Sequence, residues 1–282
     1  MPADATKTLH SIEDRVRGSS CPIVGVEGVR AELVGSGFLL QVGNQLVLVT
    51  AAHVLHYRFQ YELQIPGATR TVPIIGEINS TGPGTPEANP KFGFDLGFVL
   101  LDREKMIEQP SSRIHTVQEL DPDDLPFPGS VYGFVGCPAS KNRRKPGRTF
   151  EFTSYYLGGV PRDKTSYDGL GHSMTTHFIM EFDRENMIAR DGKRITVPDP
   201  HGMSGGPVWR LGRLEECRRG VSTPRIVGLG IAWPRPKKVL VAARVSLIFE
   251  SMRQLIPGLA PHLPRPKHVK LHAKYDGREH EA

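Results

Sequence analysis

The sequence predicts an all-β protein that consists of two roughly equal halves followed by a C-terminal helix. Glycine (30 residues) and proline (24 residues) are both above average usage in a chain of 282 residues, which favours a turn-rich chain over a helical bundle. Short apolar runs alternate with Gly, Pro, Asn and Asp turns almost throughout. A Pro- and Asp-rich stretch at residues 119–129 separates these runs into two sets, and the last apolar stretch has helical spacing.

Strand predictions follow one another along the first half. The stretch GFLLQVGNQLVLVTAAHVL at residues 37–55 predicts a strand, a turn at Gly43 and Asn44, a second strand and a short helical turn over residues 51–55. The continuous apolar run FDLGFVLLD at residues 94–102 is typical of a buried strand. Further strands are predicted for YELQIPG (61–67) and RTVPIIG (70–76), a surface loop for 78–93, and a helix for Thr8–Arg17.

The second half repeats this pattern and then changes. Six strands are predicted, for SVYGFVGCP (130–138), RTFEFTSYYLG (148–158), MTTHFIMEF (174–182), GPVWRL (206–211), RIVGLGIAW (225–233) and KKVLVAARV (237–245). Residues 244–258 then carry apolar side chains at helical spacing and end at Pro257 and Gly258. These apolar residues are Val245, Ile248, Phe249, Met252, Leu255 and Ile256. Residues 259–282 offer little to pack and are predicted to form a flexible tail.

Charge and hydropathy limit the classes of partner. The net charge of +6 is moderate, and much of it lies in the run 141–148 and in the C-terminal tail. These basic residues are interpreted as solvated loops, with a patch for acidic peptide or nucleic acid as the alternative. No aromatic interleaving or nucleic-acid motif supports nucleic-acid binding. The N-terminal stretch lacks the apolar region of a signal peptide, and no run approaches the roughly 18 apolar residues of a membrane span, so no membrane association is expected.

The cysteines argue against a disulfide framework and against zinc. There are three, an odd and sparse set. Cys21 and Cys137 each lie beside proline in apolar surroundings, which favours buried free thiols. Their spacing fits no zinc motif, so neither a metal nor a cofactor is predicted. A reducing, cytoplasmic setting is the simplest interpretation.

The stretch PDPHGMSGGPVWRL at residues 198–211 places Ser204 among glycines. Gly202, Gly205 and Gly206 leave almost no bulk beside the serine and permit a backbone that a substrate can approach closely. Consecutive amides in such a loop can point at one spot and stabilise an oxyanion. The alternative is a Gly-rich tight turn at the start of the following strand.

A serine nucleophile needs a base, and the base needs an orienting acid. His53 is the candidate base, since it follows an apolar strand and lies on a small Ala-Ala turn. A packed core histidine is the alternative interpretation. His56, one helical turn on, is a rival, and His201 is too close to Ser204 along the chain to serve as its base.

Asp95 is the candidate acid. It lies at the mouth of the apolar run at 94–102, where a buried carboxylate requires a partner. An imidazole N–H would satisfy it and would hold the histidine in the required tautomer. Asp102, which closes the same run, is the rival, and a turn aspartate at the start of the strand is the structural alternative.

The motifs TAAHV, FDLGFVLL and GMSGGPVW, in this order, resemble those of the trypsin/chymotrypsin-like serine peptidases. The stretches GSGFLL and GSVYGFVGCP also resemble bacterial trypsin-like peptidase domains. The resemblance implies two six-stranded antiparallel β-barrels with an active site between them. It also implies His53 as general base, Asp95 as orienting acid and Ser204 as nucleophile, with the amides of Gly202 and Ser204 as oxyanion hole.

The resemblance covers roughly Cys21 to Pro257 and implies one peptidase domain. Residues 1–20 would be an N-terminal extension, 21–120 the first barrel, and 121–258 the second barrel with its helix. Met203 departs from the pattern, because secreted digestive members carry Asp there to pair with a new N-terminal amine. We therefore expect no zymogen-type N-terminal activation.

The resemblance also implies the position of a substrate pocket. By resemblance, Pro198, Ile231, Ala232 and Trp233 would line the substrate pocket. Pro198 supplies no negative charge, so a preference for Lys or Arg at the P1 position of the substrate is not indicated. A small or medium apolar P1 side chain is expected instead. Asp199 is adjacent and would reverse this argument if the loop were shifted by one residue.

Three functions fit the pattern. The first is a serine endopeptidase acting on a protein or peptide substrate through an acyl-enzyme. The second is a catalytically silent binding or regulatory module on the same fold, because fold does not guarantee function. The third is an esterase or other acyl hydrolase, which the chain order of the three residues disfavours.

Overall fold

Two curled antiparallel sheets form the body of the molecule, which confirms the all-β prediction. The computed structural model describes residues 11–81, 94–124, 126, 129–142, 151–189, 191–267 and 269. The first sheet contains β1 (Cys21–Glu27), β2 (Arg30–Val42), β3 (Gln45–Ala51), β4 (Glu62–Pro66), β5 (Thr71–Pro73), β6 (Gly76–Ser80) and β7 (Leu96–Leu101), and β8 (Ile114–Thr116) pairs with β2 in parallel. The strand order is β5-β4-β1-β2-β3-β7-β6.

The first sheet closes because its two edge strands are parts of one extended stretch. Strands β5 and β6 are separated only by Ile74 and Ile75. The Ile74 amide still donates to Leu63 of β4, and the Ile75 carbonyl already accepts from Asp102 after β7. The first part of this stretch therefore pairs with one edge of the sheet and the second part pairs with the other.

The second sheet is closed in a similar way. It contains β9 (Ser130–Gly136), β10 (Tyr155–Gly159), β11 (His177–Glu181), β14 (Pro207–Arg213), β15 (Arg225–Ala232) and β16 (Val239–Arg244) in the order β10-β9-β14-β15-β16-β11. The chain that leaves β10 pairs with β11 through a bridge between Pro161 and Met180 and a bond from the Arg162 amide to the Ile179 carbonyl. A separate small hairpin is formed by β12 (Met187–Ile188) and β13 (Arg194–Ile195).

Helices are few and short apart from the last one. They are α1 (residues 11–17), α2 (Ala52–His56), α3 (Lys164–Asp168), α4 (Leu214–Arg219) and α5 (Val245–Leu255). Helix α5 confirms the helix that was predicted from apolar residues at helical spacing. Four of those residues, Val245, Ile248, Phe249 and Met252, are fully buried. Helix α5 packs against β15, β16 and β7, so it joins the two sheets in one apolar core. Over the described ranges, none of the helices has the length and apolarity that crossing a membrane requires.

The structure corrects several boundaries. The chain after α5 continues in a 3-10 turn at Pro257–His262 and buries Leu259 and Leu263, so the predicted flexible tail does not begin at residue 259. Strand β10 begins only at Tyr155, later than the apolar run suggested. The sequence did not indicate β1, β8, the hairpin at 187–195, α3 or α4. The predicted surface loop at 78–93 was wrong for residues 78–80, which belong to β6 and pair with β7. Most of the basic run 141–148, the loop at 82–93 and residues 270–282 lie outside the described residues.

All three cysteines are buried free thiols, as predicted for Cys21 and Cys137. Burial raises the pKa of both of these thiols to about 12, because the thiolate loses its hydration there. Neither group is suited to nucleophilic chemistry in this state.

The segment predicted as an N-terminal extension is packed where it is described. Helix α1 buries Ile12 and Val16 in the main core, and the hydroxyl of buried Ser19 accepts a 2.9 Å bond from the Trp209 indole. The predicted helix at Thr8–Arg17 is confirmed for residues 11–17, and its first three residues lie outside the described residues.

Removal of the Ile12 side chain should destabilise the fold. We expect Ile12→Ala to lower the free energy of unfolding by about 2–4 kcal/mol, because it leaves a cavity in the core. Exposed Arg15 on the same helix provides the matched control, and Arg15→Ala should change stability by less than about 0.5 kcal/mol. Urea unfolding of the two variants measures the difference, and equal stabilities would show that α1 is dispensable.

Candidate active site

His53 and Asp95 form a close pair between β3 and β7. His53 lies in the first turn of α2, directly after β3, and Asp95 lies directly before β7. His53 Nδ1 is 2.6 Å from Asp95 Oδ2, and the His53 amide donates to Asp95 Oδ1 over 2.9 Å. An ionised carboxylate can only accept, so Nδ1 carries the proton of a neutral ring and Nε2 keeps its lone pair. The side chains are 30% and 14% exposed, so Asp95 is the better shielded of the two.

Asp95 adopts a left-handed backbone conformation with φ of 52°. Non-glycine residues adopt this conformation rarely, and Asp is among those that tolerate it. The conformation persists because the Asp95 carbonyl accepts from the Ala52 amide at 3.0 Å while the carboxylate holds His53 on two sides. The backbone and the side chain of Asp95 are thus both bound to the start of α2.

The rival residues lie in other environments. Asp102 pairs with Lys105 at 2.7 Å, and the hydrogen bond from that ammonium group lowers the pKa of Asp102. The exposed His56 ring packs edge-on against Phe59, with 5.0 Å between the ring centroids. Of the predicted pairings, the structure brings together His53 and Asp95.

The segment 198–206, here called the Ser204 loop, approaches the β3–α2 junction. The Ser204 carbonyl accepts from the Ser36 amide of β2 over 2.8 Å. A Cβ on Gly205 would lie 2.0 Å from the Ser36 carbonyl oxygen and 3.0 Å from the Ala51 amide nitrogen, and Gly205 has φ of +88°. Only glycine fits there, and the loop therefore reaches the main chain two residues before His53. Ser204 is half-buried, and within the described residues the His53 ring is hydrogen-bonded to Asp95 and not to the Ser204 hydroxyl.

Within the described residues, the amides of Gly202 and Ser204 have no hydrogen-bond partner, nor does that of Asp199 at the start of the Ser204 loop. Within the described residues, the loop pairs its other amides after Gly202 internally or with β15, through bonds from Met203 to Pro200 (2.8 Å), from Gly205 to Gly230 (2.7 Å) and from Gly206 to Met203 (3.0 Å). The amides of Gly202 and Ser204 make no such bond to a described residue. Buried main-chain polar groups are nearly always paired in native proteins, so free donors at buried Gly202 and half-buried Ser204 are suited to binding an anion or a carbonyl oxygen.

Neighbouring segments fix the direction of the two free amides. The His201 carbonyl accepts from the Ala139 amide over 2.8 Å, and the Met203 carbonyl accepts from Gly206. In a trans peptide the carbonyl and the following N–H point in opposite directions. The Gly202 N–H therefore points away from Ala139, and the Ser204 N–H points away from the Gly206 amide. The loop therefore presents both donors without rearrangement.

Met203 anchors the Ser204 loop by apolar packing. Its side chain is completely buried in the interior of the second sheet, in a cluster with Tyr132, Phe134, Phe178 and Val208. A Cβ on Gly136 would lie 2.8 Å from Met203 Cβ, so strand β9 packs directly on this residue. No charged group is needed to hold the position.

The predicted pocket residues lie on two segments that touch. The Asp199 carboxylate pairs with the Arg235 guanidinium, and its Oδ1 accepts from the His201 amide over 3.0 Å. Arg235 also lies over the Trp233 ring, with 4.7 Å between Cζ and the ring centroid. Pro198 and Trp233 are half-buried, Ile231 is buried, and Ala232 is exposed. The acidic group beside Pro198 is thus neutralised within the protein.

A cavity of about 580 Å³ opens beside the Ser204 loop. Both halves of the chain contribute to its lining, which includes Glu32, Val34 and Tyr57 from the first half and Ala139, His201 and Arg235 from the second. A cleft of this size between two units is a common location for a ligand.

Sequence reasoning missed two features of this region. Ser36 and Arg235 contact the Ser204 loop from distant parts of the chain, and neither was singled out. The flanking glycines of Ser36 in GSGFLL were a usable signal, because small residues in a strand often mark a close backbone approach. No local pattern indicated the partner of Arg235.

Comparisons with known proteins support the fold. No protein-family profile matches the chain, and no curated protein matches its sequence. Among solved structures, the chain is similar to neuropsin, a serine protease expressed in the limbic system of mouse brain. The TM-score is 0.50 at 15% identity, over 84% of this chain and 93% of that one. At this identity the likeness shows the trypsin-like two-barrel fold and leaves the chemistry to be argued from the residues.

The apolar anchor can be tested at Met203. We expect Met203→Asp to lower the free energy of unfolding by about 3–5 kcal/mol, because it buries an unpaired carboxylate. Met203→Leu conserves volume and should cost less than about 1.5 kcal/mol. Urea unfolding measures both. If Met203→Asp were as stable as the wild type, a cation would have to reach this position and the apolar anchor would be refuted.

Proposed function

We propose that this protein is a serine endopeptidase that hydrolyses peptide bonds through an acyl-enzyme intermediate. Ser204 is the nucleophile, His53 the general base and Asp95 the group that orients His53. The amides of Gly202 and Ser204 form the oxyanion hole. No metal or cofactor takes part in this proposal, and the substrate is a protein or peptide.

One observation carries the proposal. The unpaired amides of Gly202 and Ser204 lie on the Ser204 loop. The same loop is hydrogen-bonded to Ser36 of β2 and lies against Ala51 at the end of β3, the strand that leads to the His53–Asp95 pair. A Gly-rich tight turn would give no reason for free donors on Ser204 itself and on Gly202, two residues before it. The likeness to a serine protease fold supports the same interpretation.

The proposed chemistry requires only these groups. His53 Nε2 takes the proton of the Ser204 hydroxyl as Oγ attacks the scissile carbonyl carbon, and the developing oxyanion is bound by the two free amides. Collapse of this intermediate breaks the C–N bond, and His53 returns the proton to the leaving amine. Water then attacks the acyl-enzyme with His53 as base, which releases the acid and restores Ser204. The hydrogen bond between the hydroxyl and Nε2 is expected to form when substrate binds.

The same proposal includes activity without N-terminal processing. Met203 is buried in an apolar cluster and has no charge to offer an N-terminal amine. The described N-terminal segment instead packs through Ile12 and Ser19 on the main core. A reducing, cytoplasmic compartment stays a prediction, with which three free cysteines are consistent.

The nucleophile can be tested with a fluorophosphonate probe and a casein-derived peptide library. We expect the wild type to be labelled at Ser204 and to cleave peptides, and Ser204→Ala to lose both properties. Asp95→Asn should lower kcat by roughly 10⁴-fold, because the ring of His53 would be held in the wrong tautomer. His56→Ala, a neighbouring histidine packed on Phe59, is the matched control and should retain full activity.

The outcomes separate the candidate functions. A folded wild type that is never labelled at Ser204 refutes the peptidase and leaves the catalytically silent binding module as the better reading. Labelling together with turnover of esters and no cleavage of any peptide would instead identify another acyl hydrolase.

Arg235 should control the charge preference of the pocket. In Arg235→Ala the Asp199 carboxylate loses its internal partner and becomes available to a basic substrate side chain. We expect cleavage after Lys and Arg, relative to apolar residues, to rise by about tenfold, the effect of about 1.4 kcal/mol. Comparison of kcat/KM across a peptide series measures this ratio.

Lys237→Ala provides the matched control, since it removes the same charge from the same turn without contact to Asp199. Adding Asp199→Asn to Arg235→Ala should abolish the gain. An unchanged preference in Arg235→Ala would show that Asp199 does not face the bound substrate.

A further inference from the structure

A fully buried serine of the first sheet, Ser36, forms hydrogen bonds with three other segments of the chain. Its amide donates to the Ser204 carbonyl over 2.8 Å, and its carbonyl accepts from Thr50 Oγ1 over 2.6 Å. Its hydroxyl lies 3.0 Å from the Cys137 amide and 2.8 Å from the Gly202 carbonyl. Strand β3, the chain just after β9 and the Ser204 loop therefore meet at this one residue of β2.

The direction of the Ser36 hydroxyl proton follows from its two neighbours. The Cys137 amide can only donate, so it occupies a lone pair of Oγ. The Gly202 carbonyl can only accept, so the hydroxyl proton points at it. Because Ser36 is 0% exposed, water does not compete for either partner. A side chain without this donor would leave the Gly202 carbonyl without its partner.

The Gly202 carbonyl matters because Gly202 carries one of the free amides. Gly202 has φ of +88°, and a glycine there can turn in ways that other residues cannot. Its preceding peptide is held through the His201 carbonyl by Ala139. Its following peptide is held through its own carbonyl by the Ser36 hydroxyl. Ala139 therefore holds the peptide that contains the Gly202 N–H, and the Ser36 hydroxyl limits rotation at Gly202 from the following peptide.

We propose that Ser36 is a positioning residue that keeps the amides of Gly202 and Ser204 directed into the cleft. This inference rests on the proposed peptidase function. It also supplies a physical basis for activity without an N-terminal amine, because the hydroxyl that fixes the loop is present in every folded molecule. The buried Met203 side chain holds the same loop from the opposite side, within the second sheet.

Ser36→Ala tests the proposal, since the main-chain bonds to Ser204 and Thr50 remain while the Gly202 carbonyl and the Cys137 amide lose their side-chain partner. We expect kcat for a p-nitrophenyl ester, and the rate of fluorophosphonate labelling, to fall by about tenfold or more, with KM for the ester changed by less than about twofold. Ser36→Cys keeps the volume but donates weakly, so it should show most of the same loss. Urea unfolding of each variant reports separately on stability.

Ser246→Ala is the matched control. It removes another buried serine hydroxyl that bonds to a carbonyl, that of Thr175, at the start of α5 and away from the Ser204 loop. Its stability is expected to fall slightly and its rates to stay at the wild-type level. If Ser36→Ala fails to fold, Ser36→Cys decides the question.

The proposal is overturned if Ser36→Cys retains the wild-type rate, or if Ser36→Ala slows the reaction no more than Ser246→Ala does. A loss that appears in KM alone would also contradict it, because a positioning role acts on the transition state. A wild type that neither hydrolyses the ester nor reacts with the probe refutes the peptidase function itself and the inference with it. The two failures are therefore distinguishable.

Discussion

The hydrogen bond from the Ser36 amide to the Ser204 carbonyl ties the first sheet to the Ser204 loop of the second, and the geometry of the cleft depends on it. The two main chains approach so closely because Gly205 places no side chain between them. That contact also brings the loop beside Ala51, from which His53 follows within two residues. The separation of the proposed nucleophile and base is thus set by main-chain packing, which is stiffer than any pair of side chains.

In the His53–Asp95 pair, hydrogen bonds of Asp95 offset the strain of its own backbone. Asp95 adopts a left-handed conformation that costs free energy, and it recovers that cost through bonds from its carbonyl and from both carboxylate oxygens to the start of α2. Both residues flank buried strands, β3 and β7, which pair with each other. A local strain of this kind persists where the surrounding structure over-determines it, and here two paired core strands do so.

Local pattern was enough to predict the residues with distinctive chemistry and the strands with long apolar runs. His53 and Asp95 were predicted from strand ends and meet as expected, and α5 followed from its spacing. The short strands β8, β12 and β13 gave no signal, because two or three residues are too few to show a period. The glycines beside Ser36 indicated a close main-chain approach, but the partners of Ser36 and Arg235 could not be predicted, because only the closed fold brings them near.

Met203 has a consequence for the conditions under which the loop stays ordered. An ion pair at this point would weaken as salt screened it and would break when either partner changed its protonation state. A thioether packed among Tyr132, Phe134 and Phe178 carries no charge and does not titrate. The order of the Ser204 loop is therefore independent of ionic strength and of acidity at this anchor. The order of the loop depends instead on temperature and should decrease on cooling, since apolar packing weakens at low temperature.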